Sequence, residues 1–338
     1  MSGGELEARE RDAILARDVL PLVFQDSTRP EDSPSLTLLA GQPGAARLRA
    51  ARALVVDYGQ APAIVGADDL RAFHPRFAEL ANASTPGSLD GVTRATAAWL
   101  RDCIRYAREN KRSLILEGGF QDPAVAVATT ERFAAEGFQT RVVVVASRRA
   151  ESLLSVASLY LSNVRAGKLA RFVSREAHDR ALDGTRDLTA GAASTASVDR
   201  LTVIGRNGDV VFDARRADGD EVFRGAAAAL EGAQSARLSR FDATQWLSEL
   251  HHATDYAMTR RDLPRAVTEL LVELHEIALR EVLPELHVPS DGKFISAIEQ
   301  RTVARLGALQ RALPREEIVD LAAPVVTPVG PERGGISR

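Results

Sequence analysis

One stretch of this 338-residue chain stands out as able to do chemistry, and the rest of the reading starts from it. Leu39-Ala40-Gly41-Gln42-Pro43-Gly44-Ala45-Ala46-Arg47-Leu48 follows the apolar run Ser35–Ala40 and opens an Ala/Arg/Leu-rich stretch that reaches Asp57. A glycine-containing turn between a strand and a helix is where consecutive backbone N–H groups and a helix N-terminus can surround a phosphate. Against the pattern G-x-x-x-x-G-K-[ST] the stretch keeps Gly41, while Ala46, Arg47 and Leu48 take the last three positions. Taken alone, an ordinary strand–turn–helix corner accounts for it equally well. Metal chemistry finds less support. His251-His252 and His275 lack ligand partners at suitable spacing, and His275-Glu276 has Leu279 where H-E-x-x-H needs its second histidine. Cys103, the sole cysteine, excludes an internal disulfide and a thiolate cluster.

The elements around that stretch form a pattern. Residues 5–25 read as helix with a break near Pro21. Short apolar runs at Ser35–Ala40, Ala63–Val65, Ser113–Leu116 and Val142–Ala146 read as strands. They alternate with helical stretches at 45–57, 68–80, 89–110, 123–136 and 151–164. Such alternation predicts parallel pairing through crossovers, hence an α/β fold with a three-layer core. Leu201–Ile204 and Val210–Phe212 flank Asn207-Gly208, a two-residue hairpin signal, and are expected to finish the sheet at one edge. Beyond Ala233 only helices are expected, with Val267, Leu270, Leu271, Leu274, Ile277 and Ala278 at helical spacing. The expected organisation is an α/β domain over 1–232, a helical extension over 233–320 and a flexible tail over 321–338.

Composition narrows the function classes. Hydrophobic residues make up 45%, which suits a folded chain, and the net charge of −3 with few aromatics argues against a nucleic-acid binder. The run Val142–Ala146 is far short of the ~20 residues that cross a bilayer. The charged opening Glu5–Asp12 is not a signal-peptide core. A soluble cytoplasmic protein without a membrane partner is expected. Of 43 basic residues only Lys111, Lys168 and Lys293 are lysine. An arginine where chemistry favours lysine therefore carries less meaning here than usual.

A second segment, Asp68-Asp69-Leu70-Arg71-Ala72-Phe73-His74-Pro75, resembles the D-x-[FL]-R-x-x-H-P signature of the zeta toxin family of P-loop kinases. Gly41–Leu48 is similar to that family's G-Q-P-G-x-G-K-[ST] loop, with Gln42-Pro43-Gly44 retained. Asn110 through Gly118 resembles its N…E-G-T element, with Glu117-Gly118 retained. Ala170-Arg171 through His178-Asp179 resembles its A-R-x-x-x-x-E-x-H-D segment. The likeness covers residues 12–215, in order. It implies a P-loop kinase core that moves the γ-phosphate of ATP, with Mg²⁺, to the 3′-hydroxyl of UDP-N-acetylglucosamine. It also leaves room for an antitoxin protein as partner. By match to the motifs, Asp68 would be the general base and Arg171 would face the γ-phosphate. Arg71 and Glu117 would line the substrate wall, Glu117 holding sugar or magnesium. Gly41, Gln42, Pro43, Gly44, Ala45, Ala46, Arg47 and Leu48 would cradle the nucleotide. Plainer roles exist for each: Asp68 as an N-cap for a helix starting near Asp69, Glu117 as a loop carboxylate, Arg171 as a solvated helix charge. His74-Pro75 and His178-Asp179 are expected to shape and pin helix ends.

The departures from the family pattern fall where phosphate and magnesium would bind. Arg47 replaces a compact ammonium by a wide planar fork. Ala46 replaces glycine, at about 1–2 kcal/mol if the position needs positive φ. Leu48 replaces the Ser/Thr hydroxyl that such loops offer to Mg²⁺. Gly119 stands in place of threonine, Gln121 in place of an arginine, and the family's other phosphate-facing arginine aligns with Ser158, with Arg165 nearby. Three readings follow: a working sugar-nucleotide kinase, a catalytically impaired relative serving as a binding or regulatory module, or a kinase for a different small hydroxyl acceptor.

Overall fold

A sheet buried on both faces needs strands that are apolar at every position, and the short runs of this sequence meet that demand. A computed structural model describes residues 4–27, 29–58, 60–82, 87–120, 122–168, 170–219, 221–260, 262–286 and 293–313. In chain order they form α1 (Ala8–Ile14), α2 (Leu20–Val23), β1 (Ser35–Ala40), α3 (Arg47–Leu54), β2 (Ala63–Gly66), α4 (Ala67–Leu70), α5 (Phe77–Asn82) and α6 (Asp90–Glu109). Next come β3 (Leu114–Gly118), α7 (Pro123–Ala135), β4 (Gln139–Ala146), α8 (Arg149–Arg165), α9 (Arg175–Ser194), β5 (Arg200–Gly205) and β6 (Val210–Arg215). Then follow α10 (Ala226–Ser235), α11 (Arg240–Met258), α12 (Arg265–Ile277) and α13 (Lys293–Ala312).

The six strands form one sheet in the order β2-β3-β1-β4-β5-β6, parallel throughout except for the antiparallel β6 at the edge. Side chains alternate between two cores, as the period of 2 requires. Leu36, Leu38, Leu114, Leu116, Val142 and Val144 enter one core, with Trp99 and Cys103 of α6 and Phe133 of α7. Leu39, Ile115, Val143, Val145 and Ile204 face the other way, onto Ala50, Ala51 and Leu54 of α3. This is the expected three-layer α/β core. A further apolar cluster joins Leu153, Leu154, Ala157 and Leu161 of α8 to Trp246, Leu250, Leu271, Leu274 and Leu309 of the C-terminal helices. Among the described residues, no helix is long and apolar enough to cross a membrane.

Several local expectations change. Pro21 does not break the first helix. A π-helical turn, Leu15–Val19, runs without a break into α2, and this local widening takes Pro21 into one continuous helical run from Ala8 to Val23. The helix expected over 68–80 is instead α4, a 3₁₀ turn Arg71–Phe73 and α5, separated by the Pro75 turn. There His74 is buried, with Nδ1 accepting from the Arg76 amide (3.2 Å) and Nε2 on the Gly4 carbonyl (2.9 Å). The β5–β6 connection is wider than two residues, because the Gly205 amide donates to the Asp209 carbonyl and Asn207 Oδ1 accepts from the Asp209 amide. Residues 321–338, Gln121, Pro289 and Gly292 lie outside the described residues.

Candidate functional site

The order β2-β3-β1-β4 gathers the chemistry at the carboxyl edge of the sheet, where parallel α/β sheets bind ligands. The Gly41–Leu48 loop follows β1, Asp68 follows β2, Glu117 lies at the end of β3 and Ser147 follows β4.

The loop is held tightly. The Gly41 amide donates to the Gly118 carbonyl (3.3 Å) and the Ala45 amide to the Gln42 carbonyl (3.1 Å). Gln42 is fully buried and spends both amide hydrogens, on the Ser147 carbonyl (2.9 Å) and on Ser152 Oγ (3.2 Å). Since the Ser147 carbonyl only accepts, the amide cannot flip, and Gln42 Oε1 is left buried without a partner. Gly44 has φ +82°, and a Cβ there would meet the Ser152 carbonyl oxygen at 2.2 Å, so only glycine fits under α8. Ala46 also lies in the left-handed region, φ 71° and ψ 33°, just ahead of α3. The first helical bonds return to its carbonyl, from Arg49 (3.0 Å) and Ala50 (3.3 Å). The Arg47 and Leu48 amides therefore precede any intrahelical partner and remain suited to an anion.

Arg47 Nη1 donates to the Gly41 carbonyl, folding the guanidinium across the loop. Its charge acts on two carboxylates nearby. Burial raises the Glu117 carboxyl above its ordinary range; Arg47 opposes the shift and Asp69 adds to it. Asp69 is likewise raised, by burial and by Asp68, against the Gly66 amide and Arg47. Leu48 is 59% exposed and offers no oxygen. Among the described residues, no group of three or more His, Cys, Asp or Glu gathers to hold a metal. The loop thus fits an anion but does not fit magnesium held through its own side chains.

Asp68 and Arg171 come together. Arg171 Nη1 lies 2.9 Å from Asp68 Oδ1, and Arg71 Nη1 lies 2.7 Å from the same oxygen. Asp68 is no N-cap: α4 starts at Ala67, with Gly66 in the capping position. Arg171 is not on a helix, since α9 begins only at Arg175. Ser158 keeps a buried hydroxyl without a partner, and Arg165 packs over the Tyr256 ring of α11 at 5.7 Å. Gly119 has a steric reason: a Cβ there would stand 2.9 Å from Ala181 Cβ of α9, leaving no room for threonine.

Matching of family models assigns residues 22–217 to the Zeta toxin family. The chain belongs to the zeta toxin family. It is 24% identical over 152 residues to Toxin zeta of Enterococcus hirae, covering 45% of this chain and 53% of that protein. To Toxin zeta of Streptococcus pyogenes it is 24% identical over 149 residues, 44% of this chain and 52% of the relative. The alignments thus span about half the length of these curated zeta toxins. A chain from the structure of the PezAT chromosomal toxin–antitoxin system of Streptococcus pneumoniae superposes with a TM-score of 0.63 at 17% identity, covering 75% of this chain and all of that one. That likeness shows that the two chains share a fold.

Two contributors were not read from the sequence, and His178 was read without its partner. Arg206 reaches from the β5–β6 turn to donate to the Gly44 carbonyl and, at 2.6 Å, to Ser155 Oγ. Asp69, read only as a helix start, sits beside Glu117. His178 lies in the first turn of α9, buried, and ties that helix start to α8 with Nε2 2.8 Å from Ser152 Oγ.

Proposed function

We propose that this zeta toxin relative is a phosphotransferase that moves the γ-phosphate of ATP to the 3′-hydroxyl of UDP-N-acetylglucosamine. The observation that carries the reading is the convergence of Asp68 and Arg171, 103 residues apart, at the strand ends beside the loop. Asp68 accepts the proton of the sugar hydroxyl as its oxygen forms a bond to the γ-phosphorus and the bond to the bridging β–γ oxygen breaks. Both ion pairs fall on Oδ1, so Oδ2 carries neither and serves as the acceptor. Arg171 and Arg47 supply positive charge to the transferring group, and the loop amides hold the phosphates. Glu117 and Arg71 face the sugar nucleotide. Because the loop lacks a hydroxyl at Leu48, no step is assigned to magnesium. The reading takes residues 1–232 as the kinase unit, places the chain in the cytoplasm and gives it an antitoxin protein as partner.

The test is incubation with ATP, Mg²⁺ and UDP-N-acetylglucosamine, followed by mass spectrometry of the sugar nucleotide. A product 80 Da heavier, absent with D68N, is expected for one phosphoryl group. No such product at enzyme concentrations equal to substrate overturns the reading. A second reading, an impaired relative that binds nucleotide without turnover, is favoured by strained Ala46 together with donor-free Leu48. ATP binding by calorimetry without product from a panel of hydroxyl acceptors selects it. Product from another acceptor selects a changed substrate.

A further inference from the structure

We propose that Glu273 of α12 is a positioning residue for the Gly41–Leu48 loop, acting through a continuous relay of side chains that ends on Gln42. The relay consists of one ion pair and a chain of hydrogen bonds of 2.7–3.2 Å. Glu273 Oε1 lies 2.8 Å from Arg149 Nη2. Arg149 grips Asp179 with two parallel bonds, 2.9 Å from Nε and 2.7 Å from Nη2. His178 Nδ1 is 2.9 Å from Asp179 Oδ1, and His178 Nε2 is 2.8 Å from Ser152 Oγ, which accepts from Gln42 Nε2.

Donor and acceptor chemistry fixes the order of the protons. A carboxylate only accepts, so His178 donates through Nδ1–H and its Nε2 is bare. Burial holds this imidazole below its ordinary value, which keeps it neutral at pH 7. A bare Nε2 at 2.8 Å demands the Ser152 proton, although the Arg148 carbonyl (3.0 Å) is also within reach of that hydroxyl. The lone pairs of Ser152 are then left for the Gln42 amide. Gln42, Ser152 and His178 are fully buried, so water cannot replace a lost partner without local opening.

The same corner is anchored to the C-terminal helices a second time. Arg148, next to the Ser147 carbonyl that holds Gln42, forms a buried pair with Glu285 (2.7 Å), whose carboxylate also accepts from the Leu238 amide (3.0 Å). Glu273 and Glu285 lie outside residues 22–217, so this support is not part of the family match. The far end of the relay opens on a surface cavity of about 330 Å³, lined by Phe172, Arg175, Glu269 and Glu273.

The consequence for nucleotide binding rests on the phosphotransferase reading, but the positioning itself does not. Hydrogen–deuterium exchange of the full chain, without nucleotide, tests it on peptides covering 41–50 and 240–258. Glu273→Ala is expected to speed exchange of the loop peptide by about 3- to 10-fold, the effect of loosening one charged hydrogen bond, while the α11 peptide is unchanged. Glu273→Gln, which keeps an acceptor for Arg149, is expected to restore wild-type exchange. Ser152→Ala, cutting the relay next to the loop, is expected to match or exceed Glu273→Ala. An unchanged loop in Glu273→Ala overturns the proposal. So does loosening that appears equally in α11, or that Glu273→Gln fails to rescue. Calorimetry with ATP on the wild-type chain separates the two ideas: no heat overturns nucleotide binding and leaves the exchange result to decide the positioning.

Discussion

Arg171 and Asp68 meet at 2.9 Å although neither is deeply buried: Asp68 is 68% and Arg171 47% exposed. An exposed pair of this kind contributes little to stability, about 0–1 kcal/mol. Under the proposed phosphotransferase reading, the pair serves the reaction and not the fold. Asp68→Asn is expected to lower phosphoryl transfer by about 10²- to 10⁴-fold, the usual contribution of a general base. The thermal midpoint should stay nearly constant. An equal loss of activity and stability would make Asp68 structural.

Leu48 can be given back an oxygen. Leu48→Ser places a hydroxyl at an exposed position in the first turn of α3 and removes no core contact. Affinity for ATP with Mg²⁺ should rise by about tenfold or more, the range for one hydrogen bond to a charged group. Calorimetry with and without Mg²⁺ checks this, and the gain should vanish when the metal is chelated.

Ala46 sits at φ 71°, where its Cβ is strained. Ala46→Gly relieves about 1–2 kcal/mol of that strain and gives back some of it through the freer unfolded chain. A net stabilisation of about 0.5–1 kcal/mol is expected in chemical denaturation. Gly119→Thr, the change towards the family residue, goes the other way. It pushes a side chain into Ala181 and should destabilise by about 1–3 kcal/mol.

Acid should loosen the C-terminal helices first. His251 of α11 and His275 of α12 stack at 6.2 Å between ring centroids, and His251 Nε2 meets Thr302 of α13 at 3.1 Å. His275 Nδ1 donates to the Leu271 carbonyl, and its Nε2 is buried without a partner. Burial, with Arg305, Arg301 and the second imidazole, pushes His251 down to about 4 from 6.5, against the pull of Asp255. His275 is lowered by burial and by Arg305, against Leu271 and Asp255. A histidine held neutral in the fold takes up its proton more readily when unfolded. Stability is therefore complete above pH 6.5 and falls as the pH drops towards 4. After discounting for the partial exposure of His251, the loss is roughly 1–2 kcal/mol over that window. Denaturation of wild type and His251→Gln at both ends of the range checks it, the variant showing the shallower dependence.

Much of the frame was legible because burial writes itself into local pattern. Continuous apolar runs such as Val142–Ala146 marked strands covered on two faces, and Gly41–Leu48 marked the turn after β1. What escaped was pairing through space. In a chain whose basic residues are nearly all arginine, nothing local distinguishes Arg148, Arg149 or Arg206 from solvated neighbours. Their partners, Glu285, Glu273 and the Gly44 carbonyl, are set by tertiary packing. Likewise His251 and His275, separated in sequence, meet only when α11 and α12 pack.

Helix α8 spends its apolar face on the C-terminal helices, with Ala150, Leu153, Leu154, Ala157 and Leu161 all in the cluster shared with α11–α13, while Ser152 near its start ties it to Gln42 of the loop. Clipping the chain after Ser235 would bare that stripe to water and leave Arg148 without the Glu285 carboxylate. A fragment cut there should come out of the ribosome sticky and short-lived. Over evolutionary time, the back half of the molecule is then not an appendage to be shed or swapped: any lineage that loses it must first resurface α8.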